Sequence, residues 1–204
     1  MMSGMSTNAP DTPDTNNDVA QAAADKPLPA LIWIDLEMSG LDPERRHILE
    51  IATLVTDADL NILGEGPDLI VHQPDSVLDD MGSWCTEHHG DSGLTAGVKA
   101  STLSVADAER RTLAFLRDFC TRGDSPLCGN SVYMDRIFIN RYMPKLGAFL
   151  NYRTIDVSSI KELARRWYPD LPPLPKKEAH RALDDIRESI AELQYYRDKL
   201  FRPI

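Results

Sequence analysis

The sequence predicts a layered α/β or α+β domain in which a mixed sheet is flanked by helices. Three observations carry that expectation. Strand-like apolar segments cluster in the first third of the chain, joined by short polar connections. Helical periodicity governs most of the remainder, and two brief strand candidates are interleaved among those helices. A length of 204 residues with 42% apolar residues suits one domain with a sizeable core.

Residues 1–27 are expected to be a disordered acidic extension, and residues 28–204 the folded domain. The extension is rich in Asn, Asp, Thr, Ala and Pro, and Val19 is its single large aliphatic residue. Such a segment cannot bury enough apolar surface to offset its ordering entropy. Order begins with Leu31-Ile32-Trp33-Ile34, an apolar run that reads as a central strand buried on both faces. His47–Thr56 and Gly64–Gln73 read as two further strands, and the short connections suggest an antiparallel meander.

Ser104–Cys120 follows as a helix with Val105, Ala108, Thr112, Leu116 and Phe119 on one stripe. Pro126–Cys128 is a brief strand, and Ser131–Met143 a helix stopped by Pro144. Thr154–Val157 is a short strand. Ser159 and Glu162 form a capping-box pattern that opens a helix running to Trp167. A final helix covers about Ala182 to Leu200.

Composition excludes several classes. No apolar run approaches the roughly 20 residues of a membrane helix. The net charge of −10 disfavours a grip on long nucleic acid duplexes, which rests on many Lys/Arg–phosphate contacts. It leaves room for a site that holds a short oligonucleotide beside a metal ion. Cys85, Cys120 and Cys128 are too few and too scattered for a disulfide framework, and no secretory signal is visible. Reduced thiols in a cytoplasm are the expectation.

The informative residues are acids placed where a core would want hydrocarbon. Asp35 and Glu37 end the first strand, and their i, i+2 spacing puts both on one face about 6–7 Å apart. On that pair alone, a shared cation and simple solvation explain the positions equally well. Asp135 shares a helical face with Phe138, Ile139 and Tyr142, although it could also cap its own helix. On the last helix Asp185 aligns with Ala182, Ile186, Ser189, Ile190 and Leu193. Its neighbour Asp184 aligns with Arg187 and Glu188, a solvated face. His180 stands five residues before the inward-facing acid, and its ordinary pKa suits a general base.

Four inward acids and one histidine match an oxygen-ligand site for Mg²⁺ or Mn²⁺ better than one for Zn²⁺. Two such ions about 4 Å apart could clamp an in-line phosphoryl displacement. His88 and His89 beside Cys85 could suggest zinc, but adjacent histidines point apart and no fourth ligand is evident.

Three motifs then carry a resemblance. DLE (Asp35–Glu37), GNSVYMD (Gly129–Asp135) and HRALDD (His180–Asp185) resemble the exonuclease motifs of the DnaQ-like 3′→5′ exonucleases, in their His-containing (DEDDh) branch. IWIDLEMSGLD (Ile32–Asp42), WCTEHHGDSGLT (Trp84–Thr95) and YRTIDVSSIKEL (Tyr152–Leu163) bring the chain closer still to the members that degrade oligoribonucleotides. The resemblance spans roughly Leu31 to Leu200.

It implies an RNase H-like fold, a homodimer, and two-metal hydrolysis of very short single-stranded RNAs from the 3′ end. RNA dinucleotides would be favoured and 5′-mononucleotides released. Asp35, Glu37, Asp135 and Asp185 would be metal ligands, with His180 as base toward the attacking water. Leu41 would wedge between two bases and Trp84 would pack on one. His89 and Ser131 would lie around the phosphate end. Tyr152 and Arg153 would reach the neighbouring subunit's site. Without the resemblance Leu41 and Trp84 read as core or ordinary hydrophobic surface, and Asp156 as a capping or turn residue. A general DNA exonuclease is the rival enzyme, and an idle nucleic-acid-binding module the rival of another class. The intact set of five residues argues against the module.

Overall fold

The chain is described by a computed structural model over residues 28–175 and 181–201, so the N-terminal extension and His180 lie outside the described residues. The first three strands are β1 (Leu31–Met38), β2 (Ile48–Thr56) and β3 (Ile62–Ile70). They pair as the expected antiparallel meander. Asp57 closes the β2–β3 turn, its Oδ1 accepting the amides of Asp59 and Asn61 at 2.9 and 2.8 Å. Two short strands, β4 (Leu127–Gly129) and β5 (Thr154–Asp156), extend the sheet in parallel beyond β1. The resulting order is β3-β2-β1-β4-β5, a mixed sheet with β1 at its centre.

The segment after β3 holds three short helices to which the sequence reading assigns no element. They are α1 (Asp75–Asp79), α2 (Ser83–Asp91) and α3 (Leu94–Ala100). Gly82 and Gly93 punctuate them, and α2 (SWCTEHHGD) carries no apolar stripe for a periodicity test to find. Helix α4 (Val105–Leu116) is shorter than expected. It is capped by Ser104, whose Oγ accepts the Asp107 amide at 3.1 Å. Helix α5 (Tyr133–Tyr142) ends before Pro144 as expected. Pro144 also opens α6 (Pro144–Phe149), where its fixed φ suits the first helical position.

The Ser159–Glu162 capping box is not realised. Helix α7 (Val157–Trp167) starts three residues earlier than that box would place it and is capped by Asp156, whose Oδ1 accepts the Ser158 amide at 2.9 Å. Asp156 thus plays the capping part read for it. Helix α8 (Ala182–Leu200) has the span expected.

The pleat of β1 sorts its side chains into two layers. Ile32, Ile34 and Leu36 pack in a core with Leu113 and Leu116 of α4 and with Phe138 and Ile139 of α5. Gly66 on β3 helps this layer close, since a methyl group there would lie 2.6 Å from the Phe115 ring of α4. Trp33 points the other way, into a core with Cys128, Ala182, Ile186 and Ile190. Asp35 and Glu37 continue the Trp33 face, so alternation alone turns them toward α8. Leu49, Leu78, Leu94 and Val98 form a smaller core beneath α1–α3. The three cysteines are free. No helix among the described residues is long and apolar enough to cross a membrane.

Candidate active site

Four acids meet at the carboxyl end of β1. Asp35, Glu37 and Asp185 each offer a carboxylate oxygen, and these oxygens lie within 4.8 Å of one another. Strand alternation supplies the first two, and the first turn of α8 supplies the third. Asp135, in the first turn of α5, arrives from the other layer. Its buried carboxylate accepts the Leu36 amide at 3.0 Å, between the two strand acids.

Burial and mutual repulsion act together here. Asp35 is held well above the ordinary carboxylate range by burial first, and then by Asp135, Glu37, Asp185 and Glu50. Burial pushes Glu37 up to about 8, aided by Asp185, Glu50 and Asp135 and partly opposed by Arg181. Asp135 rises to about 7 through burial, against the pull of the Leu36 amide. A hard divalent cation would relieve the repulsion, and an all-carboxylate donor set fits Mg²⁺ or Mn²⁺ rather than Zn²⁺.

Asp184 lies apart from this group. It is exposed and pairs with Arg187 at 3.2 Å, and Arg187 also reaches Glu65 of β3 at 2.8 Å.

Of the remaining candidate residues, Leu41, Trp84, His89 and Ser131 lie toward the end of the sheet that carries the cluster, and Tyr152 and Arg153 do not. Leu41 follows Gly40 in the β1–β2 loop and is 68% exposed. Gly40 has φ of 147°, and the stem of Arg46 lies 3.0 Å from where a Cβ would stand, so this turn suits glycine. On α2, Trp84 is exposed and stacks on His88 with ring centroids 4.0 Å apart. His89 turns inward instead. It is buried, with Nε2 3.0 Å from the Met38 carbonyl and Nδ1 4.0 Å from Glu37 Oε2.

Ser131 has φ of 51°, and its amide donates to Asp156 Oδ1 at 3.0 Å and Ser158 Oγ at 2.9 Å. These contacts hold it on the rim where β1, β4 and β5 all end. Tyr152 and Arg153 lie on the opposite rim. The register Ile32–Leu127–Thr154 sets them level with the start of β1. The Arg153 guanidinium carbon rests 4.4 Å from the exposed Tyr152 ring.

Three buried glutamates escape the sequence reading, Glu50, Glu109 and Glu192, and of these Glu50 acts on Asp35 and Glu37. Glu50, fully buried on β2, stands directly across from Glu37 and is paired with Arg181, whose Nη2 lies 2.6 Å from Oε1. Its signal was available, as a lone carboxylate inside ILEIATLV, a run otherwise suited to a buried strand.

Known proteins share both the sequence and the fold. An exonuclease family model, RNase_T, matches residues 32–193. The chain is 62% identical over 169 residues to the oligoribonuclease of Alcanivorax borkumensis, covering 82% of this chain and 93% of that protein. It is 54% identical over 185 residues to the human mitochondrial oligoribonuclease, covering 90% and 78% respectively. Among solved structures, exonuclease I from Methylocaldum szegediense superposes with a TM-score of 0.66 at 21% identity. Zinc-bound E. coli exonuclease I in complex with single-stranded DNA superposes with a TM-score of 0.68 at 15% identity. The alignments cover 84% and 86% of this chain and only 41% and 42% of those longer chains. At such identities the likeness is one of fold, the RNase H-like α/β architecture.

Proposed function

Because this chain belongs to the oligoribonuclease family of DnaQ-like exonucleases, and is by that membership an exoribonuclease, we propose that it removes nucleotides from the 3′ end of very short RNAs. Dinucleotides are its preferred substrate and 5′-mononucleotides its products. The observation that carries the reading is the convergence of Asp35, Glu37 and Asp185 within 4.8 Å, with Asp135 fastened between the strand acids.

These four carboxylates would hold two divalent cations, Mg²⁺ or Mn²⁺. The ions, when bound, would supply Lewis-acid stabilisation of the attacking and leaving oxygens. Asp135 is steadied by the Leu36 amide, so its carboxylate is oriented before any ion arrives. His180, two residues before the first residue of α8, takes the proton from the attacking water. The Leu41 side chain, exposed after Gly40, parts the two bases, and the exposed Trp84 packs on one. Ser131, from its rim position, and His89, next to Glu37, bound the phosphate end.

Tyr152 and Arg153 act on the site of a second copy in a homodimer. Their position on the rim opposite the acids supports this, because a partner's site is then the natural target. Single-stranded RNA of about two to five residues suits an acidic protein, since few phosphates need be gripped. The free cysteines are in keeping with a reducing, cytoplasmic setting.

The test is kcat/KM for 5′-phosphorylated RNAs of two, four and eight residues, with a deoxyribodinucleotide in parallel. A closed end-recognising pocket predicts that the RNA dinucleotide is cleaved at least as well as the longer RNAs. Chelation should abolish the activity. A steady rise with length would indicate an open groove in which each added base supplies more contact. Equal cleavage of the deoxyribodinucleotide would favour a general DNA exonuclease.

A further inference from the structure

Glu50 lies outside the exonuclease motifs, and Arg181 lies within HRALDD without a role assigned to it. Arg181 immediately precedes α8, and its side chain grips Glu50 with two nitrogens: Nη2 to Oε1 at 2.6 Å and Nε to Oε1 and Oε2 at 3.1 and 3.3 Å. Its own carbonyl accepts the Asp185 amide at 3.0 Å. Arg181 therefore links the buried acid of β2 to the helix turn that carries Asp185, and the Ala182 amide, which donates to Glu50 Oε2 at 3.5 Å, adds a weaker second link. Glu50 is also the cross-strand neighbour of Glu37. Like charges placed directly opposite are destabilising unless a cation intervenes, and Arg181 is that cation.

We propose that Glu50 and Arg181 are positioning residues that set the distance between Asp185 and the β1 acids, so that divalent-ion affinity depends on their contact. The inference rests on the reading of Asp185 as a metal ligand. Neither residue needs to touch substrate. Asp68 of β3, 4.0 Å from Arg181 Nη2, lends the guanidinium a weaker second contact.

The two halves of the pair are unequal. Glu50 is wholly buried, whereas the Arg181 side chain is 35% exposed. Arg181→Gln strands a buried carboxylate beside Glu37 and should lower Tm markedly. Glu50→Gln leaves a guanidinium that can reach water, and should fold. The double variant Glu50→Gln/Arg181→Gln removes both charges and should melt at a higher temperature than Arg181→Gln alone.

The decisive measurement is Mn²⁺ binding, by electron paramagnetic resonance of the free ion, alongside kcat and KM on an RNA dinucleotide. Removal of a group that orients a ligand typically costs about 10–100-fold in metal affinity. A loss of that size is expected in Glu50→Gln and in the double variant, with kcat falling at low Mn²⁺, recovering at saturating Mn²⁺, and KM little changed. Arg181→Lys should recover part of the affinity lost in Arg181→Gln. A purely structural pair would change Tm and leave Mn²⁺ affinity untouched. Wild-type Mn²⁺ affinity in folded Glu50→Gln or in the folded double variant overturns the proposal. Asp185→Asn separates the two levels: if it binds Mn²⁺ normally, the ligand reading itself fails, and this inference with it.

Discussion

Asp184 and Asp185 are adjacent in the chain and opposite in environment: Asp184 pairs with Arg187 in solvent, while Asp185 turns its carboxylate to within 4.8 Å of Asp35 and Glu37. Asp185→Asn should therefore lower kcat/KM on an RNA dinucleotide by more than about 100-fold, beyond what loss of an orienting neighbour costs. Asp184→Asn should stay within about twofold of wild type, since it breaks only an exposed i, i+3 pair. Comparable losses in the two variants would contradict the facial assignment.

His180→Ala should reduce turnover at neutral pH by about 10²–10⁴-fold, the usual worth of a general base. Mn²⁺ binding should persist, because an imidazole that acts on water is not a ligand. Near-normal turnover in this variant would remove His180 from the mechanism.

The metal-free protein should lose stability as pH rises. Glu37 and Asp135 hold their protons to about 8 and about 7 in the folded state, against ordinary values of 4.5 and 3.8. The folded state thus binds more protons than the unfolded chain across that interval, and stability falls with increasing pH. The contribution is intact below the ordinary values and is lost as pH passes through about 8. Tm in chelator should be higher at pH 5 than at pH 8, and Glu37→Gln should flatten the slope. At pH 8, Mn²⁺ should raise the Tm of the wild type more than that of the variant. A wild-type Tm that climbs from pH 5 to pH 8, with no difference in Glu37→Gln, would be inconsistent with the site electrostatics.

Action across a dimer can be tested by mixing subunits. Asp35→Asn and Tyr152→Ala should each be inactive alone. A heterodimer should recover activity, because one of its two sites keeps both its acids and an intact partner arm. Mixing after mild dissociation, with heterodimers resolved by tag, measures this directly. Absence of recovery in proven heterodimers would place Tyr152 within its own subunit's function.

Legibility in the sequence followed the strength of the local pattern. Asp35 and Glu37 stood out because an apolar run ends on them at alternate positions, and the structure puts both on the Trp33 face. Asp185 stood out because the stripe of α8 is well marked, and Ala182, Ile186, Ser189 and Ile190 are indeed buried. Glu50 escapes the sequence reading for the opposite reason. Every residue of β2 is buried, so alternation cannot sort its faces, and the partner that makes its charge tolerable lies 131 residues away. Helices α1 to α3 carry too few apolar residues per turn to register as periodic. Their role, presenting Trp84 outward and His89 inward, follows from tertiary packing. Ser159 and Glu162 mimic a cap that Asp156 supplies, so the local pattern sets the start of α7 too late.

The sheet order has a bearing on how two copies could associate. Its free margins are β3 and β5, and neither invites another strand. The β5 margin is three residues long, and β3 (ILGEGPDLI) carries Pro67, which has no amide hydrogen to donate, together with two glycines and the charges of Glu65 and Asp68. Such features discourage edge-to-edge extension. A dimer of this chain would accordingly be built from side-chain surfaces rather than as a continuous ten-stranded sheet, and its two-fold axis need not pass beside an edge strand.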